Sequence, residues 1–260
     1  MANLLEAADV SFAYGDTPAL RGVGVTLAPA QVAALIGPNG SGKSTLLLAL
    51  LGHLPATGKI EWEGTPVRRH RRKDLARLVA YLPQSPRYEP GQTVLDVLRL
   101  GRAAYWGAFG LESFEDESVV SEVAQMLELE NLLDRPVDRM SGGQRQRVMI
   151  GRCLTQQPKA LLLDEPTTFL DLKHQVDLCQ LLRRLATEKH LAVLMASHEL
   201  NVAAASADHL TLLNAGKIDA AGKPDEVLRP EVLSPVYGVP IQRFEGATGP
   251  IVVPQSAQKI

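Results

Sequence analysis

The sequence predicts an α/β fold: a parallel sheet at the core, an antiparallel β-subdomain at the N-terminus and an inserted helical subdomain. Three observations carry this expectation. Residues 160–163 and 191–196 are short, continuous apolar runs that end in polar residues, the pattern of parallel strands covered on both faces. A glycine-rich stretch, 37–42, separates the apolar run 32–36 from a segment with helical character. From Pro86 to about Pro158 the reading is mainly helical.

Taken in order, strand-like runs at 4–12, 23–27 and 32–36 alternate with glycine turns, and 58–64 reads as a hairpin edge. Residues 44–51 are apolar nearly all round, as suits a helix buried inside an α/β layer, and Gly52 followed by Pro55 stops it. In the middle block Thr93 and Asp96 make a capping box ahead of Val94, Leu95, Val97 and Leu98, and 119–129 repeats apolar residues at helical spacing. An amphipathic helix over 176–185 crosses between the two buried strands. The chemistry is therefore expected at the strand ends. Six prolines from Pro224 to Pro254 mark a small appendage, which places a main domain at 1–230, its helical subdomain at about 86–158, and the appendage at 231–260.

Composition narrows the function. The chain has 260 residues, 45% hydrophobic and 22% charged, which excludes disorder as its main description. No apolar stretch approaches the ~20 residues that span a bilayer. The N-terminus has neither a basic segment nor a long apolar one, so a cytoplasmic protein is expected. Cys153 and Cys179 are expected to be free thiols. A net charge of -2 gives no reason to expect nucleic acid, and the basic run 68–73 reads as a solvated turn.

Gly37-Pro-Asn39-Gly40-Ser41-Gly42-Lys43-Ser44 follows a strand and precedes a helix, the context in which G-x-x-x-x-G-K-[ST] binds phosphate. Its backbone amides can curl around an anion at a helix N-terminus, Lys43 adds a point charge and Ser44 a hydroxyl for Mg²⁺. The candidate phosphate contacts are Asn39, Gly40, Ser41, Gly42, Lys43, Ser44 and Thr45. Asp164 and Glu165 end a buried strand, where Asp164 can hold the magnesium shell and Glu165 can act as general base. His198 ends the next apolar strand. Ser141 with Gly142, Gly143 and Gln144 reads as a serine N-cap opening a helix, a second anion-binding helix end. Two phosphate cradles for one nucleotide suggest a dimer.

With these residues the sequence resembles the ATP-binding cassette (ABC) ATPases over about residues 3–225, with Met140 in place of the leucine that usually opens the family's Leu-Ser-Gly-Gly-Gln signature. The resemblance implies a P-loop NTPase core that binds ATP and Mg²⁺. It implies that Tyr14 stacks on adenine, a core or edge tyrosine being the alternative, and that Gln84 senses magnesium and the attacking water. Ser141, Gly142 and Gly143 would contact the γ-phosphate bound by the other subunit of a homodimer, Asp171 would join the two sites, and His198 would hold the γ-phosphate.

The stretches 166–171 (Pro-Thr-Thr-Phe-Leu-Asp) and 198–201 (His-Glu-Leu-Asn) are similar to those of cassettes that import iron-siderophores, haem and vitamin B12, with Phe169 and Glu199 as departures. The segments 100–109 and 236–240 resemble the same subgroup. This implies an integral membrane permease, indirectly a substrate-binding protein, and a peripheral place on the cytoplasmic face of the membrane. Tyr105, Trp106 and Phe109 either fill the helical subdomain or line a groove for a helix of the membrane partner. A molybdate or manganese importer is an alternative, as is a soluble ABC ATPase acting on DNA or ribosomes. Against the latter stand a single cassette and no sustained heptads. A P-loop nucleotide kinase leaves the Ser141 cap and Asp164-Glu165 unexplained.

Overall fold

The computed structural model describes residues 2–107, 113–168, 170–246 and 249–255; Phe109 and Phe169 lie outside them. β1 (Leu5–Tyr14) and β2 (Thr17–Leu27) pair antiparallel across a turn at Gly15, and Leu5, Ala7 and Val10 on β1 face inward. β3 (Val32–Ile36) leaves this layer for the central sheet. β4 (Thr57–Trp62) turns through Glu63 and Gly64, both at positive φ, into the two-residue β5 (Thr65–Pro66). The hairpin expected at 58–64 is therefore present, but β4 pairs with β1 on one side and β5 on the other, so β5 forms the edge.

The central sheet runs β10 (Lys217–Gly222), β9 (His209–Asn214), β3, β8 (Ala192–Ser197), β7 (Ala160–Asp164), β6 (Val79–Leu82), parallel except for β10. β3, β7 and β8 are buried along their whole length, which explains their unbroken apolar sequences. Alternation still sorts their side chains. Leu35, Leu162 and Leu194 face α1 (Lys43–Leu50) and the antiparallel sheet, whereas Ile36, Leu161, Leu163 and Met195 face the other layer. That layer holds α3 (Val94–Leu100), α4 (Phe114–Met126), α5 (Gly142–Thr155) and the crossover α6 (Leu172–Lys189), which extends beyond the 176–185 expected.

Among the elements not anticipated are α2 (Arg72–Leu78), β6, β9, β10 and α7 (Leu200–Ser206). The basic run 68–73 is a correction, since its second half opens α2 and Lys73 donates to the Trp106 carbonyl at 2.7 Å. Both cysteines are free. Among the described residues no helix is long and apolar enough to cross a membrane.

The Thr93 capping box forms as expected, and Ser113 with Asp116 makes another on α4. Arg102 is the buried centre of the helical layer. It pairs with Asp116 at 2.7 Å, donates to the Thr155 carbonyl at the end of α5 at 2.9 Å, and lies 3.8 Å over the Tyr105 ring. Tyr105, whose hydroxyl donates to the Gln156 carbonyl at 3.1 Å, thus belongs to the packing of this layer.

After α8 (Pro224–Val227) and α9 (Pro230–Tyr237), β11 (Ile241–Gly246) and β12 (Gly249–Pro254) form a hairpin. Asn201 of α7 clasps it, donating to the Val252 carbonyl at 3.1 Å and accepting from the Val252 amide at 2.9 Å. Val252 is buried in the main core.

Removing one partner of a buried pair leaves the other uncompensated, so Arg102→Met is expected to destabilise the chain by about 3–5 kcal/mol, read by denaturant unfolding. Burial alone would raise the Asp116 pKa, but the Ser113 amide and hydroxyl and the Arg102 guanidinium outweigh it and hold it below the usual value. Its contribution is therefore complete above the ordinary carboxylate pKa and disappears as pH falls through the depressed one. Arg102→Met should flatten that acid limb.

Candidate functional site

The phosphate loop begins where β3 ends. A Cβ on Gly37 would lie 2.1 Å from the Leu213 carbonyl oxygen, so only glycine lets the loop pass β9 this closely. Lys43 is buried and folds back, donating to the Gly37 and Pro38 carbonyls at 2.8 and 3.0 Å. Burial lowers its pKa, against the opposing pull of Glu165 and Asp164. Ser41 is buried with its hydroxyl unpartnered, while Asn39, Gly40 and Ser44 are exposed and Gly42 and Thr45 half-buried. Gly42 caps α1 at φ 108 and Lys43 opens it, which presents the helix N-terminus to this loop.

β7 delivers the two carboxylates side by side. Asp164 is buried and accepts from the Ser44 hydroxyl at 2.9 Å and the Tyr81 hydroxyl at 3.4 Å. Burial raises its pKa, the Glu165 charge adds to this, and the bonds from Ser44 and Tyr81 oppose it. Tyr81 is itself pushed up by burial and by Asp164, so it remains a donor. One carboxylate and one hydroxyl beside a phosphate cradle suit Mg²⁺, a hard cation that keeps most of its waters. Among the described residues no cluster of three or more His, Cys, Asp or Glu offers an all-protein metal cage.

Glu165 has φ 49, a left-handed conformation that costs a non-glycine residue roughly 1–3 kcal/mol, and its amide is pinned to the Ala196 carbonyl at 3.0 Å. The twist turns its side chain to where Oε2 meets three donors: Gln84 Nε2 at 3.0 Å, His198 Nδ1 at 3.1 Å and Thr168 Oγ1 at 3.2 Å. A carboxylate only accepts, so the imidazole carries a proton on Nδ1. Residues from four strand ends, β3, β6, β7 and β8, thus converge, and with them Lys43, Ser44, Gln84, Asp164, Glu165 and His198.

The remaining candidates lie apart from this cluster. Tyr14 is half-exposed at the end of β1, edge-on to Phe12. Ser141 and Gln144 form a reciprocal capping box on α5, with both bonds at 3.3 Å, and Asp171 caps α6 through the His174 amide at 2.9 Å. Among the described residues none of their hydrogen bonds reaches the phosphate loop. The α5 cap and the α6 cap instead touch each other: a Cβ on Gly143 would fall 2.2 Å from the His174 ring, whose Nδ1 lies 2.7 Å from Asp171 Oδ1. A cleft of about 520 Å³ opens between α4, α5 and α6, lined by Arg147, His174, Asp177 and Arg184, and does not include the phosphate loop.

Sequence reasoning missed Thr168, Tyr81 and Gln146, the last donating from α5 to the Pro166 carbonyl at 2.7 Å. Thr168 carried a signal, a hydroxyl three residues after the candidate base. The other two act across elements distant in sequence.

The family model described as ABC transporter matches residues 20–168, more than half of the chain. The hemin import ATP-binding protein of Streptomyces coelicolor is 42% identical over 92% of this chain and 85% of its own. The ferric enterobactin transport ATP-binding protein of Escherichia coli is 36% identical over 96% and 93%. Among solved structures, an inward-facing metal-chelate type ABC transporter superposes with a TM-score of 0.86 at 28% identity, covering 100% of both chains. A dimeric bacterial ABC transporter cassette superposes at 0.74 and 27%, covering 85% of this chain and 98% of the other. A family-model match over more than half of the chain and relatives 36–42% identical over more than nine-tenths of it lead to one conclusion: the chain belongs to the ABC transporter family.

Proposed function

We propose that this chain is the ATP-hydrolysing subunit of an importer for an iron chelate such as a siderophore or haem, working as a homodimer on the cytoplasmic face of a membrane permease. The convergence of Gln84, His198 and Thr168 on one oxygen of Glu165 carries the catalytic part of this reading. Similarity to hemin and ferric enterobactin ATP-binding proteins supports an iron chelate, and a cobalamin-type chelate is the other cargo that the sequence resemblance allows. The main domain then spans 1–230 and the appendage 231–260.

Asn39 to Thr45 bind the phosphates through backbone amides, the helix end and Lys43, while Tyr14 stacks on adenine. Ser44 and Asp164, with Gln84 beside them, would hold Mg²⁺, which neutralises developing charge on the phosphate oxygens when bound. Oε2 of Glu165 takes three donors, so Oε1 is the oxygen that accepts a proton from the attacking water. With Nδ1 of His198 committed to Glu165, Nε2 is the nitrogen that meets the γ-phosphate. The caps of α5 and α6 bond locally, which supports their use in trans: Ser141, Gly142, Gly143 and Gln144 contact the nucleotide of the partner, and Asp171 lies between the two sites.

Glu165→Gln is expected to bind ATP and accumulate closed, ATP-loaded dimers while turnover falls about 10² to 10⁴-fold, measured by phosphate release and size exclusion; unchanged turnover would remove the base. A mixed dimer of Lys43→Ala and Ser141→Ala subunits should keep ATP binding at one composite site, and loss at both would contradict the trans geometry. Purification of the tagged chain from native membranes should recover a many-helix permease by mass spectrometry. Recovery of ribosomes or DNA instead would assign the ATPase to the soluble class.

A further inference from the structure

Glu199 is a carboxyl side chain next to His198 for which the hydrolysis described above has no use. It follows His198 at the end of β8, half-buried, and it accepts from Thr167 Oγ1 at 2.7 Å and from Gln175 Nε2 at 3.0 Å. Its own amide is fixed by the Ser197 hydroxyl at 3.0 Å. Two neutral donors on one partly desolvated carboxylate are charge-assisted bonds, stronger than neutral ones and geometrically demanding.

The donors come from different places. Thr167 is buried in the turn after Glu165, between the Pro166 carbonyl that accepts from Gln146 and Thr168, which donates to Glu165. Gln175 is on the first turn of α6, the helix that Asp171 caps, and also reaches back to the Leu170 carbonyl at 3.3 Å. On that same turn His174 touches both Asp171 and Gly143. One carboxylate therefore ties the turn carrying His198, the turn carrying Glu165 and the helix end carrying Asp171, and the last of these rests on the cap of α5.

We propose that Glu199 is a positioning residue that makes movement of His198 and movement of the Asp171 helix end one displacement. Resting on the function proposed above, this assigns Glu199 to the connection between the site a chain completes with its own histidine and the groups it lends to its partner. Length is part of the assignment. An aspartate is shorter by one C–C bond, about 1.5 Å, and cannot keep both donors.

The test measures ATP turnover against ATP concentration for Glu199→Ala, Glu199→Asp, Glu199→Gln, Gln175→Ala and the double variant Glu199→Ala/Gln175→Ala, with melting temperatures alongside. The expected result is at least a tenfold fall in kcat for Glu199→Ala, Glu199→Asp and Gln175→Ala, KM for ATP within twofold of the unsubstituted chain, and a double variant no worse than the poorer single one. Glu199→Gln should retain at least half the activity, because the new amide can accept from Thr167 and, with the Gln175 amide turned over, donate to it. The proposal is overturned by unchanged kcat in Glu199→Ala, by losses that multiply in the double variant, or by a fall in kcat matched by a fall in melting temperature. Glu165→Gln run in parallel separates the two levels: if it retains turnover the hydrolytic reading of the site fails, whereas its loss beside active Glu199 variants sinks the positioning role alone.

Discussion

Burial of β7 on both faces is the constraint on which the site depends. A strand with solvent on neither side cannot slip without moving every side chain into the wrong layer, so its register against β6 and β8 is fixed by apolar packing. Because the register is fixed, the first polar residues after Leu163 emerge at one place. Asp164 stays low and buried against Ser44, and Glu165 is turned outward by a left-handed backbone that the Ala196 carbonyl holds. The hydrophobic core thus places the chemistry, and the strain at Glu165 is the local cost of presenting two adjacent carboxylates to different tasks.

What the amino-acid order disclosed depended on how local each cause was. The phosphate loop was legible because its glycines, lysine and serine act within eight residues, and the Ser141 and Thr93 caps because a helix end needs a partner three residues away. The unbroken apolar runs of β7 and β8 revealed the covered sheet. β6 was not legible, being four residues long and preceded by a basic run whose charge masks the short helix α2. Tyr81 and Gln146 gain their partners only when strands and helices far apart in sequence are brought together, whereas Thr168 bonds Glu165 three residues away. Asp171 and the Ser141 cap were legible as residues, yet they stay apart from the phosphate loop, as groups acting on another copy of the chain would.

The helical layer shows a second use of charge. Arg102 closes the C-terminal end of α5 through the Thr155 carbonyl, neutralises Asp116 and stacks on Tyr105, so a single buried cation joins three segments of the layer. The glycine-arginine pair at 101–102 is thereby explained by packing. At the same time α5 is tied to the sheet through Gln146 and Pro166, which links the helical layer to the residue after Glu165.

The clasp between Asn201 and Val252 has a consequence for how the molecule is made. Synthesis runs from the N-terminus, so the phosphate loop, β7, β8 and α7 all emerge before the strand that carries Val252. Until β12 emerges, the Asn201 amide has no backbone to hold and the core lacks Val252. The helix that starts two residues after His198 therefore gains this clasp only after β8 and β9 of the central sheet have been made.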